Sequence, residues 1–164
     1  MDSTLDYIDK KRKKNEDLKL SGLNLYPNDF RVSHTVKEIL SSSGEMTEDI
    51  SETVYCIAGR MMAVNKFGKS TFIRIKDRTG LIQAYIRKDK IGDENYDIFK
   101  KLDIGDIIGL KGPLFKTKTG EWTILAQDCR LLSKATRSLP EKFHGLKDPE
   151  KRYRQRYVDL IVND

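Results

Sequence analysis

Residues 70–87, STFIRIKDRTGLIQAYIR, constrain this chain more than any other stretch, because they read as two strands joined by a tight turn at Asp77-Arg78-Thr79-Gly80. Side chains along a strand point to opposite faces with period two. Thr71, Ile73 and Ile75 therefore share one face of the first strand, and Ile82, Ala84 and Ile86 share the matching face of the second. That face is the predicted core. The opposite face collects Phe72, Arg74 and Lys76 from the first strand and Leu81, Gln83, Tyr85 and Arg87 from the second. A turn centred on Arg78-Thr79 sets Phe72 opposite Tyr85 and Arg74 opposite Gln83. One solvent-facing surface thus carries two aromatic rings, an amide and several cations. Rings stack on bases, cations meet phosphates and an amide reads a base edge, so the pattern is that of a platform for single-stranded nucleic acid.

The charge agrees in sign. A net charge of +6 and a pI near 9.2 favour a polyanionic partner, although 25 acidic residues among 31 basic ones keep the excess moderate. A length of 164 residues suits one well-packed domain with extensions. The opening MDSTLDYIDKKRKK has acidic residues and no apolar block behind its cations, unlike a secretory signal. No apolar run approaches the ~20 residues of a membrane helix, so a cytoplasmic protein without a membrane part is expected. Cys56 and Cys129 fall on separate predicted strands and read as reduced, buried thiols. With only His34 and His144 besides, no zinc ligand set forms, and the stretch is expected to hold no metal.

Along the chain, residues 2–21 predict a mostly polar helix that Gly22 is placed to end. Its cluster Lys10, Lys11, Arg12, Lys13 and Lys14 spans more than a helical turn, so it cannot all face a protein core. It is either a solvated face or a phosphate-contacting arm, and the second reading gains weight only if the rest of the chain binds nucleic acid. Thr35-Val36-Lys37-Glu38 has capping-box spacing ahead of a short helix, and 41–51 reads as a polar linker. Residues 53–63, apolar on both faces with Gly59 inside, predict a long, bending first strand. Residues 92–102 predict a helix, and 106–116 and 121–131 predict a strand pair around Thr117-Lys118-Thr119-Gly120. The order is three strands, a helix and two strands. That predicts a mainly β fold with helices: a five-stranded OB-fold Greek-key barrel over 52–134, preceded by a helical extension over 1–51. Residues 135–164 read as a charged, irregular linker with Pro140 and Pro149, whose final Val158, Leu160 and Ile161 have little length in which to bury themselves.

Phe72 either covers the barrel as a surface aromatic or stacks on a base, and the cations beside it favour stacking. Gln83 either bridges strands or reads a base edge, with its mid-strand place favouring the second. Arg74 and Lys76 suit a solvated face as well as RNA contact. Arg87, Lys116 and Lys118 join the basic helix as candidate contacts to the RNA backbone. Glu121 either accepts a hydrogen bond from a base or pairs with Lys116 or Lys118. Met61 and Met62 read as core filler, and His144 as structural. No Gly-rich phosphate loop, serine-nucleophile elbow or paired catalytic carboxylate occurs, so no catalytic residue is assigned.

The runs AGRMM at 58–62, GDIIGLKGPLFKTKTGE at 105–121 and LPEKFHGLKDPEKRYRQRYVDL at 139–160 closely resemble the N-terminal part of bacterial-type class II lysyl-tRNA synthetases. The likeness runs from about Tyr26-Pro27-Asn28-Asp29-Phe30 to the last residue. The segments Phe143-His144-Gly145-Leu146 and Arg152-Tyr153-Arg154-Gln155-Arg156-Tyr157 separate it from the aspartyl and asparaginyl relatives that share the barrel. The resemblance implies a tRNA anticodon-binding barrel at the front of a homodimeric, ATP-dependent ligase that attaches lysine to tRNA. In such proteins a strand-two Phe stacks on the middle anticodon uridine, a strand-three Gln hydrogen-bonds it, and a Glu opening strand five contacts the first anticodon base. These fall on Phe72, Gln83 and Glu121, with Arg74 beside them. Many relatives carry a basic residue soon after Gly-Arg-Met-Met, where this chain has Val64 and Asn65, and Lys66 is the candidate substitute. The family's catalytic domain, with its ATP, magnesium and lysine sites, is expected beyond residue 164, so the stretch itself is expected to need no cofactor and to bind without catalysing. The rival readings are a stand-alone single-strand-binding OB module, the equivalent domain of an aspartyl- or asparaginyl-tRNA synthetase, and a protein-docking barrel.

Overall fold

The computed structural model describes residues 2–45, 49–140 and 146–163. In chain order the elements are α1 (Asp2–Leu20), α2 (Val36–Ser42), β1 (Ile50–Phe67), β2 (Ser70–Lys76), β3 (Leu81–Arg87), α3 (Lys88–Ile91), α4 (Asp93–Phe99), β4 (Ile107–Lys116), β5 (Trp122–Leu125), β6 (Asp128–Ser133), α5 (Pro149–Arg154) and α6 (Arg156–Val162). The β2–β3 hairpin has the register read from alternation, with Phe72 opposite Tyr85 and Arg74 opposite Gln83. Thr71, Ile73, Ile75, Ile82, Ala84 and Ile86 are all buried. Asp77 ties the turn. Its Oδ1 accepts from the Thr79 and Gly80 N–H groups and the Thr79 hydroxyl, and its Oδ2 accepts from the Val36 N–H at the start of α2.

β1 belongs to two ladders. Residues from Ile50 to Arg60 pair with β4 and those from Arg60 to Phe67 pair with β2, with a bulge between Met61 and Ala63. The strand can switch because Gly59 has no side chain: a Cβ there would lie 2.8 Å from the Lys76 carbonyl oxygen. The strand order β1-β2-β3-β5-β4-β6, with the extra β1–β4 pairing, closes the sheet on itself. This is the barrel expected from the element order, with one correction. The single strand predicted over 121–131 is two strands. β5 runs parallel to β3 and antiparallel to the end of β4, whereas β6 pairs with the start of β4. Between them Ala126 donates its N–H to the Tyr85 carbonyl and Gln127 donates to that of Lys111. A Cβ on Gly112 would come within 1.9 Å of the Leu125 carbonyl oxygen, so the corner depends on a glycine facing it.

Three further expectations shift. The helix predicted over 92–102 covers only Asp93–Phe99, and Gly92, at φ 83°, separates it from the unpredicted turn of α3. Ile91, Tyr96 and Phe99 from these helices enter the barrel core. The N-terminal extension is not set apart from that core. α2 starts on the expected Thr35–Glu38 capping box, and its Val36 and Ile39 lie in the same cluster as the barrel residues. α1 ends before Gly22, at φ 86°, and its Leu18 packs with Leu25 and Leu131. The region after Lys134 is more regular than expected. Pro149 starts a helix there instead of breaking one, because the first turn needs no donor from it and the Asp148 carboxylate caps the Glu150 and Lys151 N–H groups. Leu160 stays 66% exposed, and Val158 and Ile161 line a groove of about 580 Å³ with Tyr7, Ile107, Leu139 and Pro140. His144 and the Phe143-His144-Gly145 part of the resemblance lie outside the described residues.

Candidate nucleic-acid interface

Alternation along β2 and β3 raises two parallel rows of side chains from one sheet face. The first is aromatic. The Phe72 and Tyr85 rings stack with centroids 4.4 Å apart and planes 19° from parallel. Phe67, 63% exposed at the end of β1, meets Phe72 edge-on at 6.0 Å, and Phe115 of β4 lies 6.3 Å from Tyr85. Tyr85 thus covers one face of the Phe72 ring and restrains it. Phe67 and Phe115 escaped the sequence reading. Phe67 lies beyond residue 63, where the predicted first strand ends, and Phe115 takes its face from the register of β4 against β5, which the sequence alone does not set.

The second row is polar. The Arg74 guanidinium donates to the Glu121 carboxylate at 2.7 Å. Gln83 donates through Nε2 to the Thr123 hydroxyl oxygen at 2.9 Å, and the Thr123 hydroxyl donates to the Glu121 backbone carbonyl at 3.2 Å. Gln83 and Thr123 are direct partners in the parallel β3–β5 ladder, which sets this contact. Glu121 therefore sits beside Arg74 and not with Lys116 or Lys118. The Lys116 ammonium lies 5.3 Å over the Trp122 ring, and Lys118 is exposed in the β4–β5 turn. Arg87 makes a two-point ion pair with Asp89 at 2.9 and 2.7 Å, and Lys76 is half-buried. Val64 packs against the core, and Asn65 takes the register position beside Phe72. Lys66 is exposed but pairs in register with Thr71, so alternation turns it from the aromatic row.

The basic helix divides into two sides. Lys11 is 6% exposed, and the Lys14 ammonium, on a half-exposed side chain, donates to Asp103 at 2.7 Å, so these two face the barrel. Lys10, Arg12 and Lys13 are exposed, with Arg12 3.7 Å from Asp9. Asp103 and Asp106 also hold the fully buried ammonium of Lys134 at 2.6 and 2.7 Å. Burial works against the charged Asp103 carboxyl, but hydrogen bonds from Lys134 and Lys14 outweigh it and hold the group below its ordinary value. This anchorage lies before the start of β4, whereas Glu121 follows its end. The 10 residues of β4 lie between the two along the chain.

Burial pushes the Cys129 thiol up to about 12, so it stays protonated; Cys56 is also a free thiol. Among the described residues no group of three or more His, Cys, Asp or Glu side chains is placed to hold a metal ion, and no helix is long and apolar enough to cross a membrane.

An OB-fold nucleic acid binding domain family matches residues 55–132, the span of the barrel. The chain is 46% identical to a lysine–tRNA ligase of Anaeromyxobacter dehalogenans, with 94% of this chain and 31% of that protein covered. It is 48% identical to one of Thermosipho melanesiensis (97% and 32% covered) and 45% identical to one of Bacillus subtilis (96% and 32% covered). The chain thus spans about a third of the length of these relatives. Over nearly its whole length the chain is thus similar to a segment of lysine–tRNA ligases, and within it residues 55–132 match an OB-fold nucleic acid binding domain.

Proposed function

We propose that the β2–β3 face binds the anticodon loop of a lysine-accepting tRNA. The observation that carries the reading is the pairing of a half-buried, solvent-accessible aromatic row with a polar row two residues along the same strands. Phe72, backed by Tyr85, stacks on the middle anticodon base, and Gln83 hydrogen-bonds its edge. Glu121, held by Arg74, meets the first anticodon base. Asn65 and Phe67 at the end of β1 border the site on one side, and Lys116 and Lys118 border it on the other. Lys10, Arg12 and Lys13, on the exposed side of α1, act on the RNA backbone.

Binding of a labelled stem-loop carrying a lysine anticodon, compared with the same loop changed at its middle base, tests this. A clear preference is expected. Equal binding of both loops would favour a stand-alone single-strand-binding module, and no binding even at low salt would favour a protein-docking barrel.

In this reading 1–51, 52–134 and 135–164 serve as helical extension, reading barrel and connector. The whole protein is a cytoplasmic, homodimeric ligase that attaches lysine to tRNA with ATP and magnesium held outside these residues. Lysine activation needs the ATP phosphates and metal held by positioned charges in a closed pocket. The face described here is open, so the 164 residues bind without catalysing. Lysine-dependent exchange of pyrophosphate into ATP by the purified chain would overturn that division of labour.

A further inference from the structure

Thr123 is fully buried and touches no solvent, yet it stands between the two groups that define the polar row. Its hydroxyl oxygen lies 3.2 Å from the Glu121 backbone carbonyl and 2.9 Å from Gln83 Nε2. A carbonyl oxygen only accepts, so the single hydroxyl proton is committed to Glu121. The oxygen is left as an acceptor, and the only group Gln83 can offer an acceptor is its amide nitrogen. Were the amide turned over, its oxygen would face an oxygen without a proton to give. Glu121 is itself pinned, because its carbonyl also accepts from the Thr117 N–H at 2.9 Å and from the Thr117 hydroxyl at 3.1 Å, and its N–H donates to that hydroxyl oxygen at 3.0 Å. The turn between β4 and β5 therefore orders the Thr123 proton, and the Thr123 proton orders the amide. Among the described residues the Gln83 side chain makes this one hydrogen bond, so Oε1 stays available to a ligand.

We infer that Thr123 is a positioning residue that holds the Gln83 amide with its carbonyl oxygen presented to the bound base, which makes the face select a base with an imino N–H donor. Uracil and guanine carry that donor on the Watson–Crick edge, whereas cytosine and adenine present an acceptor there. The inference deepens the base-reading role proposed above and rests on it. A threonine suits the task because its methyl group packs in the barrel wall while its hydroxyl relays the proton direction. Serine keeps the relay and valine keeps only the shape.

The test is the affinity of stem-loops that differ only at the middle base, for the unaltered protein, Thr123→Val and Thr123→Ser. The unaltered protein should favour uridine over cytidine, and should lose that advantage against N3-methyluridine, which has no imino proton. Thr123→Val should reduce the uridine-to-cytidine ratio about tenfold, the discrimination of one base-edge hydrogen bond of about 1.4 kcal/mol, while Thr123→Ser should keep it. A purely structural threonine would lower the affinity for every loop alike and leave the ratio unmoved. An unchanged ratio in a folded Thr123→Val protein would overturn the inference. If that variant fails to fold, equal binding of uridine and N3-methyluridine by the unaltered protein would overturn it instead. No preference among bases in the unaltered protein would mean that the base-reading role fails first.

Discussion

Arg74 and Glu121, 47 positions apart in sequence, meet at 2.7 Å on the β2–β3 face. With side chains 43% and 38% exposed, the pair should add only ~0.2–1 kcal/mol to stability. In the proposed role its weight falls on binding, because Arg74 would neutralise a carboxylate that otherwise repels RNA. Arg74→Ala should therefore weaken stem-loop binding more than the double change Arg74→Ala with Glu121→Gln, which removes the exposed charge as well. Stem-loop titrations of both proteins check the order; a double variant weaker than the single would refute it.

Phe72→Ala should weaken stem-loop binding by ~1–3 kcal/mol, the usual worth of one base on one ring, with the circular dichroism spectrum unchanged. Tyr85→Ala should also weaken it, by less, because it removes the ring that holds Phe72 at 4.4 Å. Unaltered affinity in a folded Phe72→Ala protein would remove the stacking role.

Reading and attraction should separate. Gln83→Ala should reduce the preference at one base, whereas Lys13→Ala should weaken every RNA about equally and lower the salt slope. Lys14→Ala should instead loosen α1 from Asp103, seen as faster proteolysis within residues 2–20. A base preference that Gln83→Ala leaves intact would rule out its reading role.

Asp77 should make stability depend on acid. Burial disfavours its charged form, but hydrogen bonds from the Val36, Thr79 and Gly80 N–H groups and the Thr79 hydroxyl outweigh this and lower its pKa. A carboxyl depressed in the folded state stabilises above its unfolded value near ~3.9 and loses that contribution as pH falls through the lower folded value. Asp77→Asn should cost about 1–3 kcal/mol at neutral pH and flatten the acid limb of the stability curve. Urea midpoints between about pH 3 and pH 7 measure both, and an unchanged acid limb would exclude Asp77 as its source.

The hairpin was legible in the sequence because its two faces differ so sharply: a one-residue slip would bury Arg74 and Gln83 and expose Ile73 and Ile82. The corner at Ala126-Gln127 was not, since it is made by packing against Gly112 and apolar residues continue on both sides of it. Arg74–Glu121 was hidden for a related reason. β2 and β5 are not neighbours in the sheet, so only the closed barrel, with β3 between them, brings the two side chains together. Thr123 left no signal at all, because a polar residue in a strand reads as solvent-facing until its two oxygen and nitrogen partners are seen. In α1 the run of cations gave no hint of which would turn inward; that was decided by Asp103 and by Leu18.

The double membership of β1 also sets an order of events as the chain leaves the ribosome. Its later half can pair with β2 after one short turn, while its earlier half must wait for partners such as Leu110, which pairs with Ile57. Until β4 is synthesised, the stretch around Tyr55 and Ile57 is an unpaired apolar edge, the kind of surface on which nascent chains find one another. Closing that ring is a long-range step, slow compared with the local hairpin. A pause in translation before residue 107 would therefore leave the reading hairpin formed and the molecule still sticky.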